Sequence, residues 1–114
     1  MLEYSSMKQP IYSPHKISRI QIAAIRCHES GRLFSAYILD AHAKRHEALA
    51  ILQQPSYTKS QDDHYFAIGL RLLEESNTAF KNAADNASHW NDAQKFDKLR
   101  GFLVQNQNLK SFAI

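Results

Sequence analysis

Apolar side chains recur along this chain with the spacing of α-helices. When residues are placed at 100° intervals, four segments each gather most of their apolar side chains on one arc of the wheel, with polar side chains opposite. No segment alternates β-branched and polar residues over the length of a strand. The pattern therefore predicts an all-α fold, and the short links between segments favour a four-helix antiparallel bundle.

The first predicted helix covers residues 14–29. Ser13 is a typical N-cap and Pro14 a typical first residue, because proline there loses no hydrogen bond. Gly31 suits the left-handed turn that follows a helix. The predicted buried arc holds Ile17, Ile20, Ala24, Ile25 and Cys27. We expect residues 1–13 to form an irregular arm, pinned by Ile11 and Tyr12, and residues 14–114 to form a single helical domain.

The second predicted helix, residues 32–53, has one residue at odds with its pattern. The apolar side holds Phe34, Tyr37, Ile38, Ala41, Ala48, Leu49 and Leu52. Arg45 falls at the centre of that side. A guanidinium in such a place must extend to solvent, pair with a carboxylate of the next helix, or meet a binding partner. The sequence leaves these three outcomes open.

The third predicted helix has the strongest pattern and is the long central helix of the bundle. One phase holds over residues 61–89, after a cap at Thr58 or Ser60, which corresponds to about 43 Å of helix. The second and third helices should form the central hairpin. Because the apolar stripe is longer than the neighbouring helices, we expect a homodimer to cover the surplus, although the arm or the tail could also do so.

The last predicted helix covers residues 92–107, with Asn91 or Asp92 as its cap. Phe96, Leu99 and Leu103 are expected to face inward. In the tail that follows, apolar residues at 109, 112 and 114 are typical of a segment that docks onto the domain.

The composition limits the class of protein. A chain of 114 residues, 44% of them hydrophobic, has room for one modest core. The single cysteine, Cys27, cannot form an intrachain disulfide, and we expect a buried, inert thiol. No signal-peptide pattern and no apolar run of about 20 residues is present, so the sequence predicts a cytoplasmic protein with no membrane association.

The positive charge is confined to the first half of the chain. Residues 1–57 hold seven Lys and Arg against four acidic residues, whereas residues 58–114 hold seven of each, so the net charge of +3 lies in the first half. Such a surface attracts an acidic protein, a nucleic acid or a membrane headgroup, and the alternative is an ordinary solvated helix surface. The predicted partner-binding residues are Lys16, Arg19, Arg26, Tyr37, Arg45 and His46.

Catalytic signatures are weak. His42 and His46 are four residues apart on one helix face, a spacing that suits two zinc ligands, but Lys44 and Arg45 beside them would repel a cation. A histidine-phosphotransfer site would need a small glycine where His46 stands. No glycine-rich phosphate loop and no nucleophile triad is present. We therefore expect no enzyme, no cofactor and no metal site.

These observations predict a non-enzymatic, small helical protein–protein interaction module, an adaptor, inhibitor or regulator that forms a homodimer. The alternative is a nucleic-acid-binding regulator that uses the basic stripe of the first helix. A third hypothesis, from the enzyme class, is a metal-dependent or phosphohistidine-dependent activity at His42 and His46.

Overall fold

A computed structural model describes residues 11–55, 57–88 and 91–113, without the side chains of residues 92, 96, 102 and 109–113. It contains four helices: α1 (Pro14–Glu29), α2 (Leu33–Leu52), α3 (Lys59–Asp85) and α4 (Asp92–Ala113). No strand occurs within the described ranges. The all-α, four-helix prediction is therefore confirmed. Most of the predicted irregular arm, residues 1–10, lies outside the described residues.

The helices begin where the local sequence predicts. The Ser13 and Thr58 hydroxyls and the Asn91 carboxamide each accept a hydrogen bond from the backbone N–H three residues further on, at 3.1, 3.1 and 2.8 Å. Gly31, in the link after α1, has a positive φ of 77°, a conformation that glycine adopts without strain. These caps fix the starts of α1, α3 and α4, whereas α2 begins at Leu33 without a side-chain cap.

Two predicted helix ends need correction. α3 ends at Asp85 rather than near residue 89, so its 27 residues span about 40 Å. α4 continues to Ala113 rather than ending near residue 107, so the predicted docking tail is mostly the last turns of a helix. The buried side of α3 nevertheless follows the predicted phase from Gly69 to Ala84.

Helix α2 is buried on two opposite sides, whereas its sequence pattern predicts one. On one side the Ala41 carbonyl accepts a hydrogen bond of 2.8 Å from the Ser76 hydroxyl of α3. On the other side Glu47 accepts a hydrogen bond of 2.6 Å from Gln21 of α1. The alanines that serve these two contacts are at most 3% exposed: Ala36, Ala41, Ala43 and Ala48. Their short side chains allow both neighbours to approach α2 closely.

Helices α2 and α3 form the predicted central hairpin, and their contact is the main core. Leu49 and Leu73, 2% and 0% exposed, pack together with Ala48 and Leu72. Further along, Phe80 packs against Ala41. α1 packs mainly on α2 and α4 mainly on α3, so the hairpin lies in the middle of a molecule 47 by 29 by 22 Å in extent.

A buried polar contact fixes α4 on the hairpin. The carboxamide of Asn106, 0% exposed, donates to the Ser76 hydroxyl at 3.2 Å and to the Asn77 carboxamide oxygen at 2.6 Å. Since Ser76 donates in turn to the Ala41 carbonyl, one chain of hydrogen bonds links α2, α3 and α4. A buried polar chain of this kind fixes the register of helices that apolar packing alone would leave free to slide.

Candidate interaction site

The outer side of α1 presents arginines and isoleucines together. Arg19, Ile22, Ile25 and Arg26 are all exposed, and the two isoleucines keep 50% and 56% of their surface in solvent. Ile25 was expected to be buried, and that prediction is wrong. α1 contains no acidic residue before Glu29. We call these four residues the basic-apolar face.

Lys16, which the sequence groups with the two arginines, is engaged with an aromatic ring. Its ammonium nitrogen lies 3.8 Å from the centroid of the Tyr12 ring, a cation–π contact. Lys16 is exposed and lies on the side of α1 that turns toward Tyr12. Lys16 thus contacts Tyr12 and also lines, together with Arg19, a depression of about 470 Å³ at the start of α1.

Tyr12 covers His46. The two rings are stacked at 3.5 Å with an interplanar angle of 8°, and the Tyr12 backbone N–H donates to His46 Nδ1 at 3.2 Å. His46 is consequently only 4% exposed. Tyr12, which the sequence predicts to anchor the arm, thus contacts His46. His46, which the sequence places among the partner-binding residues, lies beneath that anchor.

The hydrogen bond defines the protonation state of His46. Because Nδ1 accepts from Tyr12, it bears no proton, and the neutral ring must hold its proton on Nε2. Burial, reinforced by the charges of Arg45, His42 and Lys16, lowers the pKa of His46 to about 4. His46 is therefore a neutral hydrogen-bond donor at neutral pH.

His42 faces a different environment from His46. Its ring meets the Phe80 ring of α3 edge-on at 5.4 Å, and burial together with Arg45 lowers its pKa. The sequence places His42 and His46 on one helix face, but the two imidazoles contact different rings and do not meet at a common point. Among the described residues, no three His, Cys, Asp or Glu side chains are grouped as metal ligands would be.

Arg45, which directly precedes His46 on α2, is half-buried. Its Nε atom is shielded from solvent and has no hydrogen-bond partner, and burial lowers its pKa. The α3 carboxylate that could have paired with it binds a neighbour instead, since Lys44 Nζ lies 3.1 Å from Glu75. Of the three outcomes that the sequence leaves open for Arg45, an internal ion pair is absent from the described part of the chain.

Tyr37, the remaining predicted contact residue, lies further along the α1–α2 contact. Its ring meets His28 edge-on at 5.1 Å, and His28 Nε2 lies 2.8 Å from the Asp40 carboxylate. The six predicted residues thus occupy three places: the basic-apolar face, the surroundings of Tyr12, and the His28–Asp40 pair.

Two apolar depressions complete the surface. One, of about 580 Å³, lies between α1, α2 and α3 and includes Ile17, Ile51 and Ile68. The other, of about 360 Å³, lies along α4 and includes Leu103 and Val104, the latter 51% exposed. The first is also lined by Tyr12, Glu47 and Arg71, and the second by Arg100.

No protein-family model, no curated protein and no solved structure matches the chain. None of the helices, as far as they are described, combines the length and the apolar character that crossing a membrane requires.

Sequence reasoning missed two features that position these surfaces. One is Asn106, although it falls next to Leu99 on the helix wheel, and a polar residue beside an apolar arc is a signal for a buried hydrogen bond. The other is the burial of His46, which depends on a contact across 34 residues and has no local signal.

Proposed function

We propose that this protein is a non-enzymatic interaction module whose basic-apolar face binds an acidic, amphipathic segment of another protein. The observation that supports this function is the pair of half-exposed isoleucines, Ile22 and Ile25, next to Arg19 and Arg26. Protein interfaces combine an apolar centre with a charged rim, and arginine is enriched in them. The arginines have no acidic neighbour on α1 before Glu29 and so favour a partner that supplies carboxylates.

The second candidate, a nucleic-acid-binding regulator, is supported by the same two arginines. Phosphate binding requires several Lys or Arg side chains, and its strength falls steeply with salt. The isoleucines are a poor match to a phosphate backbone, and the third basic residue, Lys16, already stacks on Tyr12. We therefore rank nucleic acid below an acidic protein segment.

We also propose that the protein forms a homodimer, through a surface other than the basic-apolar face. A two-fold dimer formed by the basic-apolar face would bring arginines against their own copies, which is electrostatically unfavourable. The depression along α4 is lined by Leu99, Leu103 and Val104 with a single charged residue, Arg100, so it suits a homodimer better than a face with two arginines. Light scattering tests this: a dimer that Val104→Asp converts to monomer supports the α4 contact, and a monomeric wild type refutes it.

The binding test uses a synthetic helical peptide of about 20 residues with leucines on one face and glutamates beside them, and its lysine counterpart. NMR shifts of backbone amides report the contact. We expect the acidic peptide, but not its lysine counterpart, to shift the amide signals of α1. Ile22→Ser or Arg26→Gln should weaken binding of the acidic peptide at least about 5-fold. Val104→Ser, which removes a similarly exposed aliphatic side chain from α4, is the matched control and should leave the affinity unchanged.

Two outcomes would reject the proposal. One is that the acidic peptide leaves α1 unperturbed. The other is that a fluorescent single- or double-stranded oligonucleotide binds at low salt with a dependence on Arg19 and Arg26 but not on Ile22. The latter result would favour the nucleic-acid candidate.

A further inference from the structure

The depression of about 470 Å³ at the start of α1 has two kinds of lining. Its apolar part consists of three half-buried side chains, two from α1 and one from α2: Ile20, Ala23 and Leu39. Its polar part consists of exposed residues of α1 and its cap: Ser13, His15, Lys16 and Arg19. Sites for small molecules have volumes in this range and combine apolar walls with a few polar groups.

The charge of this lining is of one sign, because no acidic residue takes part in it. Within the described residues, neither Lys16 nor Arg19 forms an ion pair with a carboxylate. Lys16 rests on the Tyr12 ring, a contact that attracts the ammonium group but neutralises no charge. Asp40, the neighbour of Leu39 in the chain, lies 2.8 Å from His28 instead. The depression therefore favours an anion.

The positive charge comes from side chains rather than from the end of the helix. Ser13 already accepts hydrogen bonds from the first free amides of α1, since its hydroxyl binds the Lys16 N–H at 3.1 Å and its carbonyl binds the Ile17 N–H at 3.0 Å. The basic side chains beside an apolar wall are thus the feature that selects a ligand.

We propose that this depression binds a small amphipathic phosphate monoester, with its apolar chain against Ile20 and Leu39 and its phosphate on Arg19, next to the charge of Lys16. A guanidinium donates two parallel hydrogen bonds to phosphate oxygens. A phosphate monoester carries about 1.5 to 2 negative charges at pH 7, which matches two cations better than a carboxylate does. The site shares Arg19 with the basic-apolar face but uses none of its other residues, and it does not rest on the proposed function.

The first experiment separates the charge of the ligand from its apolar part. Hexyl phosphate, inorganic phosphate, hexanoate and hexanol are titrated into the full chain at equal ionic strength, and the Leu39 methyl signals are followed by NMR. We expect hexyl phosphate to bind saturably and at least about 10-fold more tightly than each of the other three. Butyl phosphate should bind about 5-fold more weakly than hexyl phosphate, because each methylene group that leaves water contributes about 4-fold when fully buried.

Three results of these titrations would overturn the proposal. One is the absence of a saturable Leu39 shift with hexyl phosphate up to about 10 mM. Another is equal affinity for hexanoate, which would show that the anion need not be a phosphate. The third is equal affinity for inorganic phosphate, which would show that the apolar wall takes no part.

Variants then assign binding to the depression. Arg19→Met, which keeps an aliphatic stem but removes the donors, should weaken hexyl phosphate binding about 10-fold. Lys16→Met should weaken it about 3-fold at low salt and less at high salt, because its charge acts across solvent. Arg26→Met is the matched control, the same substitution further along α1 and outside the depression, and should keep the wild-type affinity.

The same variants distinguish this site from the peptide-binding face. Arg26→Met should lose acidic-peptide binding and keep hexyl phosphate, whereas Lys16→Met should show the reverse. All three substituted residues are exposed, so unchanged circular dichroism should confirm that each variant folds. If Arg19→Met and Arg26→Met weaken hexyl phosphate equally, the ester is attracted by any surface arginine and the proposed site is rejected.

Discussion

The two buried sides of α2 differ in chemistry. The side toward α3 is made of alanine and leucine, with Leu73 and Ala48 fully buried and Gly69 allowing Leu52 to approach the α3 backbone. The side toward α1 is made of hydrogen bonds and aromatic contacts: Tyr12 on His46, Gln21 with Glu47, and His28 with Asp40. The α2–α3 contact is mainly apolar, although His42 and the Ser76–Ala41 hydrogen bond lie within it, whereas the α1–α2 contact is richer in polar groups and includes the buried His46.

This difference assigns the two sides separate roles. Burial of apolar surface is the main source of stability, so the α2–α3 hairpin is the framework that the other helices join. α1 buries Ile17, Ala24 and Cys27, and its polar contacts with partly exposed side chains contribute little each, so we expect it to be attached more weakly than α3. The proposed basic-apolar face lies on this part of the molecule, where changes in charge or pH act without unfolding the hairpin.

The largest expected effect comes from an apolar truncation in the hairpin. Leu73→Ala removes a side chain that is 0% exposed, and we expect the free energy of unfolding to fall by about 3 kcal/mol. Urea denaturation followed by circular dichroism measures it. Val104→Ala, which shortens a side chain that is 51% exposed on α4, should cost less than about 0.5 kcal/mol. Equal losses in the two variants would contradict the assignment of the core.

Much of the fold could be predicted because its signals are local. Ser13, Thr58 and Asn91 act within one turn, and the stripe of α3 is a repeating pattern in one segment. The second buried side of α2 could not be predicted in the same way. Ala36 and Ala43 are weakly hydrophobic, so the wheel gives them little weight, and their burial depends on a neighbour that arrives from another part of the chain.

The next largest expected effect is the pH dependence of stability that arises from His46, in the contact between α1 and α2. His46 has a folded-state pKa of about 4, below its unfolded value of 6.5. Between these values the unfolded chain binds a proton that the native ring excludes, so stability is complete above pH 6.5 and decreases as the pH falls toward 4. We expect a loss of roughly 2 kcal/mol over this range, after allowance for solvent screening. The lowered pKa of His42 acts in the same direction.

Variants isolate the histidine from the acidic groups that titrate at low pH. His46→Gln keeps a side-chain acceptor near Tyr12 but cannot bind the proton, so its stability should decrease less between pH 6.5 and 4 than that of the wild type. Urea midpoints at several pH values measure the two slopes. His64→Gln, on an exposed residue of α3, is the control and should keep the wild-type slope. Parallel slopes for His46→Gln and the wild type would show that Tyr12 does not hold His46 neutral.

A smaller effect tests the closeness of the α2–α3 contact. A Cβ added at Gly69 would lie 2.5 Å from Leu52 Cγ, so Gly69→Ala forces the leucine to move. The gain in helix propensity offsets part of this cost, and we expect a net loss of about 1 kcal/mol. At Gly101 of α4 nothing lies within 4 Å, so Gly101→Ala should stabilise the protein by about 0.5 kcal/mol. Opposite signs for the two variants, measured by thermal denaturation, would confirm that Gly69 is a packing position.

The candidate sites could be predicted only in part. Arg45 was identifiable, because a charged residue on an apolar arc is visible in the sequence. The absence of an acidic partner for it among the described residues was not predictable, because the pairing of Glu75 with Lys44 depends on how α3 packs on α2. Likewise, nothing local shows that Ile25 faces solvent, because its position at the edge of the predicted arc depends on the angle at which α1 meets α2.

The smallest expected effect concerns the His28–Asp40 pair. The two side chains are 36% and 37% exposed and 2.8 Å apart, so water competes for both partners. A double-mutant cycle with His28→Gln and Asp40→Asn should give a coupling energy of about 0.5 kcal/mol that shrinks at high salt. A coupling above about 1.5 kcal/mol would mean that single polar contacts hold α1 as firmly as a buried leucine holds α3, and the two sides of α2 would then no longer differ in strength.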